Sequence, residues 1–376
     1  MAPCSPQAPC EGNHWRLYFI KLQCKWSDRL SKVKIGIINV TGYAGIELVR
    51  ILSQHPEISL RAITGRSHSG KTLGEVFPHL TELDLTITNE ITESVDLVFS
   101  ALPHAASAEK LKPFLNSGIK IIDISADFRL KDIDIYKSWY KIEHPCPEFI
   151  ADSVYGLCEL HKKEISESKL VANPGCYSTA TILALAPAID AGIIEPGIIV
   201  DAKSGVSGAG RGLKLATHFS EVNENLMAYS IDGHRHMPEI IQELNGISNS
   251  MTIRLTFLTH LVPITRGILT SCYAPLTEDF IRSDQDPNTR IREIYQDFYH
   301  KEIFTKIADA PPMTKQTLGN NNCIVYPTLD RNNNRLIVIS CLDNLVKGAA
   351  GQAIQNMNLM CGFEEDEGLK QLALYP

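Results

Sequence analysis

The chain has 376 residues, 44% of them hydrophobic and 21% charged, with a formal net charge of −7. That length suits two or three domains, the acidic balance argues against nucleic acid or an anionic membrane as the main partner, and no apolar run is long enough to span a bilayer. The ten cysteines are irregularly spaced and form no C-x-x-C pair, unlike the dense framework of a small secreted domain, so a reducing compartment, the cytoplasm, is expected.

Residues 1–32 mix Pro, Cys and Trp without a period. They lack the apolar core and small-residue cleavage site of a signal peptide. An excess of Lys and Arg permits an organelle-targeting reading, with Glu11 and Asp28 against it; the other reading is an extension without an assigned role. Regular structure begins with a buried strand over residues 33–40. Thr41-Gly42-Tyr43-Ala44-Gly45 then leads into an amphipathic helix over 46–52. Strand, glycine turn and helix open a nucleotide-binding βαβ unit, where helix-start N–H groups face a pyrophosphate and glycines let it come close. The three-glycine fingerprint is incomplete, because Asn39 stands at the first position. Such a turn also serves as a plain strand–helix joint. The next strand, 58–64, ends in Gly65-Arg66-Ser67. An acidic residue there favours NAD, whereas Arg with hydroxyl neighbours favours the 2′-phosphate of NADP; the alternative is a solvated Arg66.

Strand 96–100 ends at Ala101-Leu102-Pro103-His104, a helix follows over 106–116, and strand 119–122 ends in Asp123-Ile124-Ser125. Ala101, Pro103 and Ser125 thus fall at strand C-terminal ends, where parallel sheets bind ligands. The alternation of short apolar strands with helices predicts a doubly wound sheet with right-handed crossovers.

Asn173-Pro174-Gly175-Cys176-Tyr177 is a turn that opens a helix with an apolar run at 180–188. Asn-Pro disfavours helix at Asn173. A cysteine at a helix start feels unpaired N–H groups and the positive end of the dipole, which favour its thiolate. The competing reading is a buried, inert cysteine. Strand 198–202 leads to Lys203-Ser204-Gly205-Val206-Ser207-Gly208-Ala209-Gly210-Arg211, a Gly/Ser loop between two cations. It reads as a phosphate or carboxylate site, or as a flexible linker. His234-Arg235-His236 precedes a helix begun by Pro238. No third zinc ligand has suitable spacing, so acid/base chemistry fits better, with a solvated surface histidine open for either. Strands at 251–258, 267–274 and 335–341 with a helix at 289–300 predict an antiparallel or mixed sheet with one face covered. The last helix, from 343, carries Gly348 and Gly351 near its start, unfavourable in a helix unless something must come close.

The stretches TGYAGIEL (41–48), ALPHAAS (101–107), DISADFRL (123–130), NPGCYSTA (173–180), KSGVSGAGRG (203–212), GHRHMPEI (233–240), HLVPITRGIL (260–269) and DNLVKGAAGQAIQNMN (343–358) carry a family resemblance. The chain resembles the N-acetyl-γ-glutamyl-phosphate reductases, the arginine-biosynthesis family of the semialdehyde dehydrogenase superfamily. The resemblance implies an α/β protein. A Rossmann-type NADP-binding domain would comprise residues 33–175 plus 343–376, and an α/β catalytic and oligomerisation domain with a mixed, largely antiparallel sheet residues 176–342. It implies NADPH-dependent reduction of N-acetylglutamyl 5-phosphate to the 5-semialdehyde by a homodimer or homotetramer, with no metal. By match to the family motifs, Cys176 is the nucleophile and His234 the proton carrier, with His236 second. Thr41, Gly42, Tyr43, Gly45, Arg66, Ser67, Ala101, Pro103, Ser125, Asn344, Gly348 and Gly351 are expected at the cofactor. Asn173, Ser207, Gly208, Gly210, Arg211 and Arg266 are expected at the substrate, Arg211 with its loop on the phosphate and Arg266 on the carboxylates. Aspartate-semialdehyde dehydrogenase and an aminoadipyl-phosphate reductase share the catalytic plan, and a catalytically silent NADP-binding sensor is the reading from another class.

Overall fold

Short runs of Val and Ile bounded by glycine turns become strands buried on both faces, which requires helices on both sides of the sheet. A computed structural model of the chain describes residues 32–248 and 252–376; the expected extension, apart from its last residue, and the first residue of the strand expected at 251–258 lie outside them. The first sheet is built from β1 (Val33–Ile38), β2 (Ile58–Thr64), β3 (Ile87–Thr88), β4 (Leu97–Ser100), β5 (Lys120–Asp123), β6 (Ser153–Tyr155) and β7 (Leu170–Ala172). All its pairings are parallel, in the order β3-β2-β1-β4-β5-β7-β6. Helices α1 (Tyr43–Leu52), α2 (Ser107–Ser117) and α3 (Cys158–Glu167) connect its strands. The strand order reverses between β1 and β4, and the crevice beyond their C-terminal ends is where this architecture binds ligands.

From β7 the chain enters α4 (Cys176–Asp190) and then a second sheet of β8 (Ile198–Gly205), β9 (Met227–Tyr229), β10 (Leu255–Val262), β11 (Ile268–Pro275), β12 (Thr305–Ile307), β13 (Cys323–Asp330) and β14 (Arg335–Leu342). The order is β12-β13-β14-β11-β8-β10-β9. The pairs are antiparallel except β8 with β10 and β12 with β13, so the sheet is mixed and largely antiparallel. Helices α4, α5 (Met237–Ile247) and α6 (Pro287–Tyr299) share one apolar core with it. Ile199, Tyr273 and Ile337 lie in register across its opposite, partly exposed face.

Helix α4 is apolar on every side and buried almost throughout, as a helix between layers must be. Pro187 in its last turn has no N–H for the carbonyl of Leu183. Tyr299 Oη donates to that carbonyl at 2.8 Å, and Tyr295 Oη to the carbonyl of Ala184 at 2.7 Å. The chain ends in α7 (Gly351–Cys361), entered through a π-helical turn at Val346–Ala350. Ala353, Ile354 and Met357 return the C-terminus to the core of the first sheet.

The strand expected at 251–258 lies further on, at Leu255–Val262, because its buried alternation Phe257, Thr259, Leu261 runs the full length of β8. The sequence reading did not find β13, whose Pro327 weakens the strand pattern.

Candidate active site

Cys176 is the first residue of α4. Gly175 before it has extended backbone (φ −70°, ψ 147°), and no side chain caps the helix start. Asn173 is fully buried. Its N–H donates to the Asp123 carbonyl at 2.8 Å, and its Nδ2 to the Ala349 carbonyl at 3.2 Å. Its Oδ1 accepts from Asn356 Nδ2 at 3.1 Å. Asn173 therefore ties the loop to the π-turn and presents no free group to a substrate, contrary to expectation. On the other side of the cysteine stands Gly348. A Cβ there would lie 2.7 Å from Cys176 Cβ. The close approach foreseen at this glycine is thus made by Cys176. At Gly351 the neighbours are Asn321 and Val346.

Burial pushes the Cys176 thiol up to about 11. A bond from the Tyr177 N–H and the Arg129 charge work against burial, while Glu239 adds to the rise. The helix start alone therefore does not make this cysteine a thiolate, and a proton acceptor is needed.

Two histidines stand by it, with ring centroids 4.7 Å apart. The backbone N–H of His236 donates to His234 Nδ1 at 3.1 Å. That nitrogen must carry a lone pair, so the neutral His234 ring bears its proton on Nε2 and is a donor there. His236 differs. A Cβ on Gly175 would lie 2.5 Å from His236 Nε2, so this ring packs on the residue before Cys176. Its Nε2 is 3.9 Å from Glu239 Oε1, and its Nδ1 is buried with no partner among the described residues. Burial, then the charge of Arg235, lowers His234 to about 4. Burial and its positive neighbours hold His236 well below the ordinary histidine range. Both rings are neutral at pH 7.

Behind them lies a network joining the two sheets. Glu239, from α5, accepts from Arg129 Nη1 at 3.0 Å, from Tyr155 Oη at 2.9 Å and from the Gly175 N–H at 3.3 Å. Arg129 also donates to the Asn173 carbonyl at 2.8 Å and to the Ile124 carbonyl at 2.8 Å. The loop carrying Cys176 is thus held from both sides by one buried ion pair. Sequence reasoning did not single out Arg129, Tyr155 or Glu239. Arg129 and Glu239 are 110 residues apart, and the only signal was that both lie in motifs that carry the resemblance.

On the cofactor side, Asn39 takes φ 65°, the left-handed region a first glycine would occupy and one that Asn tolerates best among other residues. Its Nδ2 donates to the Ala101 carbonyl at 2.8 Å, tying β1 to β4 across the switch point. A Cβ on Gly45 would lie 2.5 Å from the Asn39 carbonyl oxygen, whereas one on Gly42 would meet Asn39 Nδ2 only at 3.5 Å, and no side chain caps α1. Thr41 is partly exposed, and Tyr43, Pro103, Arg66 and Ser67 are exposed, the last two just beyond β2. An uncapped helix start and an exposed Arg–Ser pair just beyond β2 fit NADP. Ser125 does not share in this, since its hydroxyl donates to Asp123 Oδ2 at 2.6 Å and accepts from the Asp127 N–H at 3.1 Å. Asn344 is also engaged: it donates to Ser207 Oγ at 2.9 Å and accepts from the Gly267 N–H at 2.8 Å.

A cavity of about 670 Å³ opens between the two sheets, lined by Tyr43, Ser207, Gly210, Arg211, Arg266 and Leu345 among others; Cys176 is not in its wall. Gly208 packs towards Ser204. The two cations flanking the loop do not converge on it. Lys203 pairs with Asp201 at 2.5 Å. Arg211 donates to the Thr41 carbonyl at 3.0 Å and lies over the Phe77 ring at 4.8 Å. Arg266 is not free for substrate carboxylates either. It makes a two-pronged bond to Glu47 of α1, at 2.9 and 2.8 Å, with Asp343 at 3.5 Å. Burial raises the Glu47 carboxyl, but the bonds from Arg266 and Arg50 outweigh it and bring it down to about 2.

Residues 34–168 match the family described as "Semialdehyde dehydrogenase, NAD binding domain", and residues 176–344 the one described as "Semialdehyde dehydrogenase, dimerisation domain". The N-acetyl-gamma-glutamyl-phosphate reductase of Dehalococcoides mccartyi is 54% identical over 347 residues, 92% of this chain and 100% of that protein. The one from Pelotomaculum thermopropionicum is 49% identical over 352 residues, 92% of this chain and 99% of that protein. The chain belongs to the N-acetyl-gamma-glutamyl-phosphate reductase family. Aspartate semialdehyde dehydrogenase II from Vibrio cholerae shares the fold, with a TM-score of 0.67 at 18% identity, over 88% of this chain and 99% of that one. So does the Candida albicans aspartate semialdehyde dehydrogenase solved with NADP, with a TM-score of 0.63 at 15% identity, over 88% of this chain and 99% of that one.

For a member of this reductase family, the arrangement separates two tasks. Residues beyond β1, β2 and β4 line the crevice at the switch point of the parallel sheet, and the Cys176 loop, the start of α5 and the π-turn pack together around Cys176. Arg266 with Glu47, and Arg211 with Thr41, bind one to the other.

Proposed function

We propose that the chain catalyses the NADPH-dependent reduction of N-acetyl-L-glutamyl 5-phosphate to N-acetyl-L-glutamate 5-semialdehyde and phosphate, in arginine biosynthesis. The observation that carries this reading is Cys176 at a helix start against a neutral histidine, in a chain 54% identical along the whole of a reductase of that name. His236 Nε2 takes the thiol proton. The Cys176 sulfur attacks the acyl carbon, the C–O bond to phosphate breaks, and a thioester forms while the departing phosphate can take up the proton held by His236. Helix-start N–H groups are placed to stabilise the oxyanion. NADPH, when bound, supplies the hydride for the thioester carbon. The resulting hemithioacetal anion on Cys176 collapses to aldehyde and thiolate, and the thiolate takes up a proton from solvent to restore the thiol. His234, donating from Nε2, orients substrate oxygen rather than taking the cysteine proton; the sequence-based preference between the two histidines is thereby reversed. Neutral His236 is a weak base and the thiol is raised, so the transfer is uphill and must be coupled to attack.

Residues 33–175 with 343–376 act as the cofactor unit and 176–342 as the catalytic and oligomerisation unit. The apolar row Ile199, Tyr273 and Ile337 on the open sheet face supports a homodimer, which can pair further into a tetramer. The place of work is the cytoplasm; among the described residues no helix is long and apolar enough to cross a membrane. The test is phosphate-dependent reduction of NADP with N-acetylglutamate 5-semialdehyde against aspartate semialdehyde. Preference for the first, lost in Cys176→Ser, is expected; preference for aspartate semialdehyde refutes the substrate, and turnover by Cys176→Ser refutes the mechanism.

A further inference from the structure

The acyl-transfer centre continues into a group of side chains that the chemistry above does not use. Gly233, at φ 135°, brings the loop before His234 onto the short helix Ile133–Tyr140; a Cβ there would lie 2.8 Å from the Trp139 ring. This docking places Arg235 over the Tyr140 ring, with the guanidinium carbon 5.9 Å from its centroid. The same ring holds His104, at a centroid distance of 5.8 Å. Arg235 is exposed and has no carboxylate partner among the described residues. His104 Nδ1 accepts the Ala126 N–H at 3.0 Å. Its proton is therefore on Nε2, as in His234, and both rings offer donors. Burial, then the positive charges of Arg129 and Arg235, keeps His104 neutral. Arg129 is spent on Glu239. An unspent cation at Arg235 and the fixed Nε2 donor of His104, beside the charge of Arg129, are unusual in a chain of net charge −7. They need an anion.

We propose that Arg235 and His104, gathered on the Tyr140 ring, bind the carboxylate at the end of the acyl substrate remote from the reacting carbon. The assignment rests on the reading that the substrate is an N-acylated glutamyl phosphate. It takes over the role expected of Arg266, whose fork is filled by Glu47.

The reverse reaction separates the possibilities, because the semialdehyde brings the carboxylate while phosphate and NADP are added separately. Arg235→Gln is expected to raise KM for the semialdehyde about 10- to 100-fold, the size of one charge-assisted bond. KM for phosphate and for NADP should stay within about twofold, and kcat should change less than KM. His104→Gln, which keeps a donor near Nε2, should be milder than His104→Leu. The carboxamide analogue of the semialdehyde should be disfavoured by the unmodified enzyme and no longer by Arg235→Gln. A rise in KM for phosphate alone would make this the phosphate site, and a rise for NADP alone a cofactor contact; either overturns the proposal. Unchanged constants in both variants overturn it while leaving the activity standing. If the unmodified enzyme ignores the semialdehyde, the underlying reading falls and the proposal with it.

Discussion

Gly348 offers the sharpest perturbation of Cys176, because it packs directly against that residue. In Gly348→Ala the new methyl would sit 2.7 Å from Cys176 Cβ, 3.2 Å from Leu342 Cδ1 and 3.3 Å from the Asp343 carbonyl oxygen. Carbon atoms rest at about 3.5–4.0 Å, so the cysteine or the π-turn must retreat by about 1 Å. Ala gains about 1 kcal/mol over Gly in helical backbone, against about 1–3 kcal/mol for overpacking. The net loss of stability should be small, a Tm change of a few degrees. A displacement of about 1 Å at the reacting atom, by contrast, costs about 100-fold in rate. The assay is kcat for the reverse reaction together with thermal unfolding, with Gly351→Ala as the comparison. There the added methyl meets Asn321 at 2.3 Å and Val346 at 2.6 Å but not the cysteine, so Tm should fall with kcat of the folded enzyme largely kept. A Gly348→Ala enzyme with ordinary kcat refutes the reasoning that this glycine sets the position of the nucleophile.

With the thiol pushed up to about 11, alkylation of Cys176, followed on its own peptide by mass spectrometry, should speed up about tenfold per pH unit from 7 to 10; a plateau below pH 8 would reveal a preformed thiolate. Glu47, brought down to about 2, adds stability above its unfolded value near 4.5, and that contribution disappears as pH falls towards 2. Glu47→Gln should therefore be less stable than the unmodified chain by about 3 kcal/mol at pH 7, with the gap closing below about pH 4.5 in denaturant titrations; a gap independent of pH argues against the ion pair. Asn39→Gly should leave KM for NADPH within about threefold, while Asn39→Val should lose about 1–2 kcal/mol because a β-branched residue is strained at positive φ; equal stability of the two variants excludes a backbone role. Arg66→Ser should raise KM for NADPH about 10- to 100-fold and leave NADH nearly unaffected, measured by initial rates with both cofactors.

The parts readable in the sequence were those encoded over a few residues. The turn at 41–45 opens α1, the NPGC turn opens α4, and the parallel and mixed sheets follow from strand length and alternation. Where the fingerprint departed at Asn39, the fold restores it with the same backbone conformation. Side chains with reach were harder to assign. Arg211 was read as a substrate ligand from its place beside the Gly/Ser loop and Arg266 from the family match, yet each finds a partner on the first sheet's side of the cleft. The two histidines of the HRH motif are indistinguishable as letters, and they part through the bond from the His236 N–H to His234 Nδ1 and the packing of the His236 ring on Gly175.

By itself, the sequence determined that a cysteine would begin a helix, that a dinucleotide turn would precede it and that two kinds of sheet would follow, because turn chemistry and hydrophobic period act between neighbours. Only the tertiary structure decided that burial outweighs the helix start at Cys176, that the His236 ring packs on Gly175 just before it, and that Gly348 packs against it. Those outcomes depend on what lies within a few ångströms in space, set by contacts such as Arg129 with Glu239 and Gly348 with Cys176 that join segments far apart along the chain.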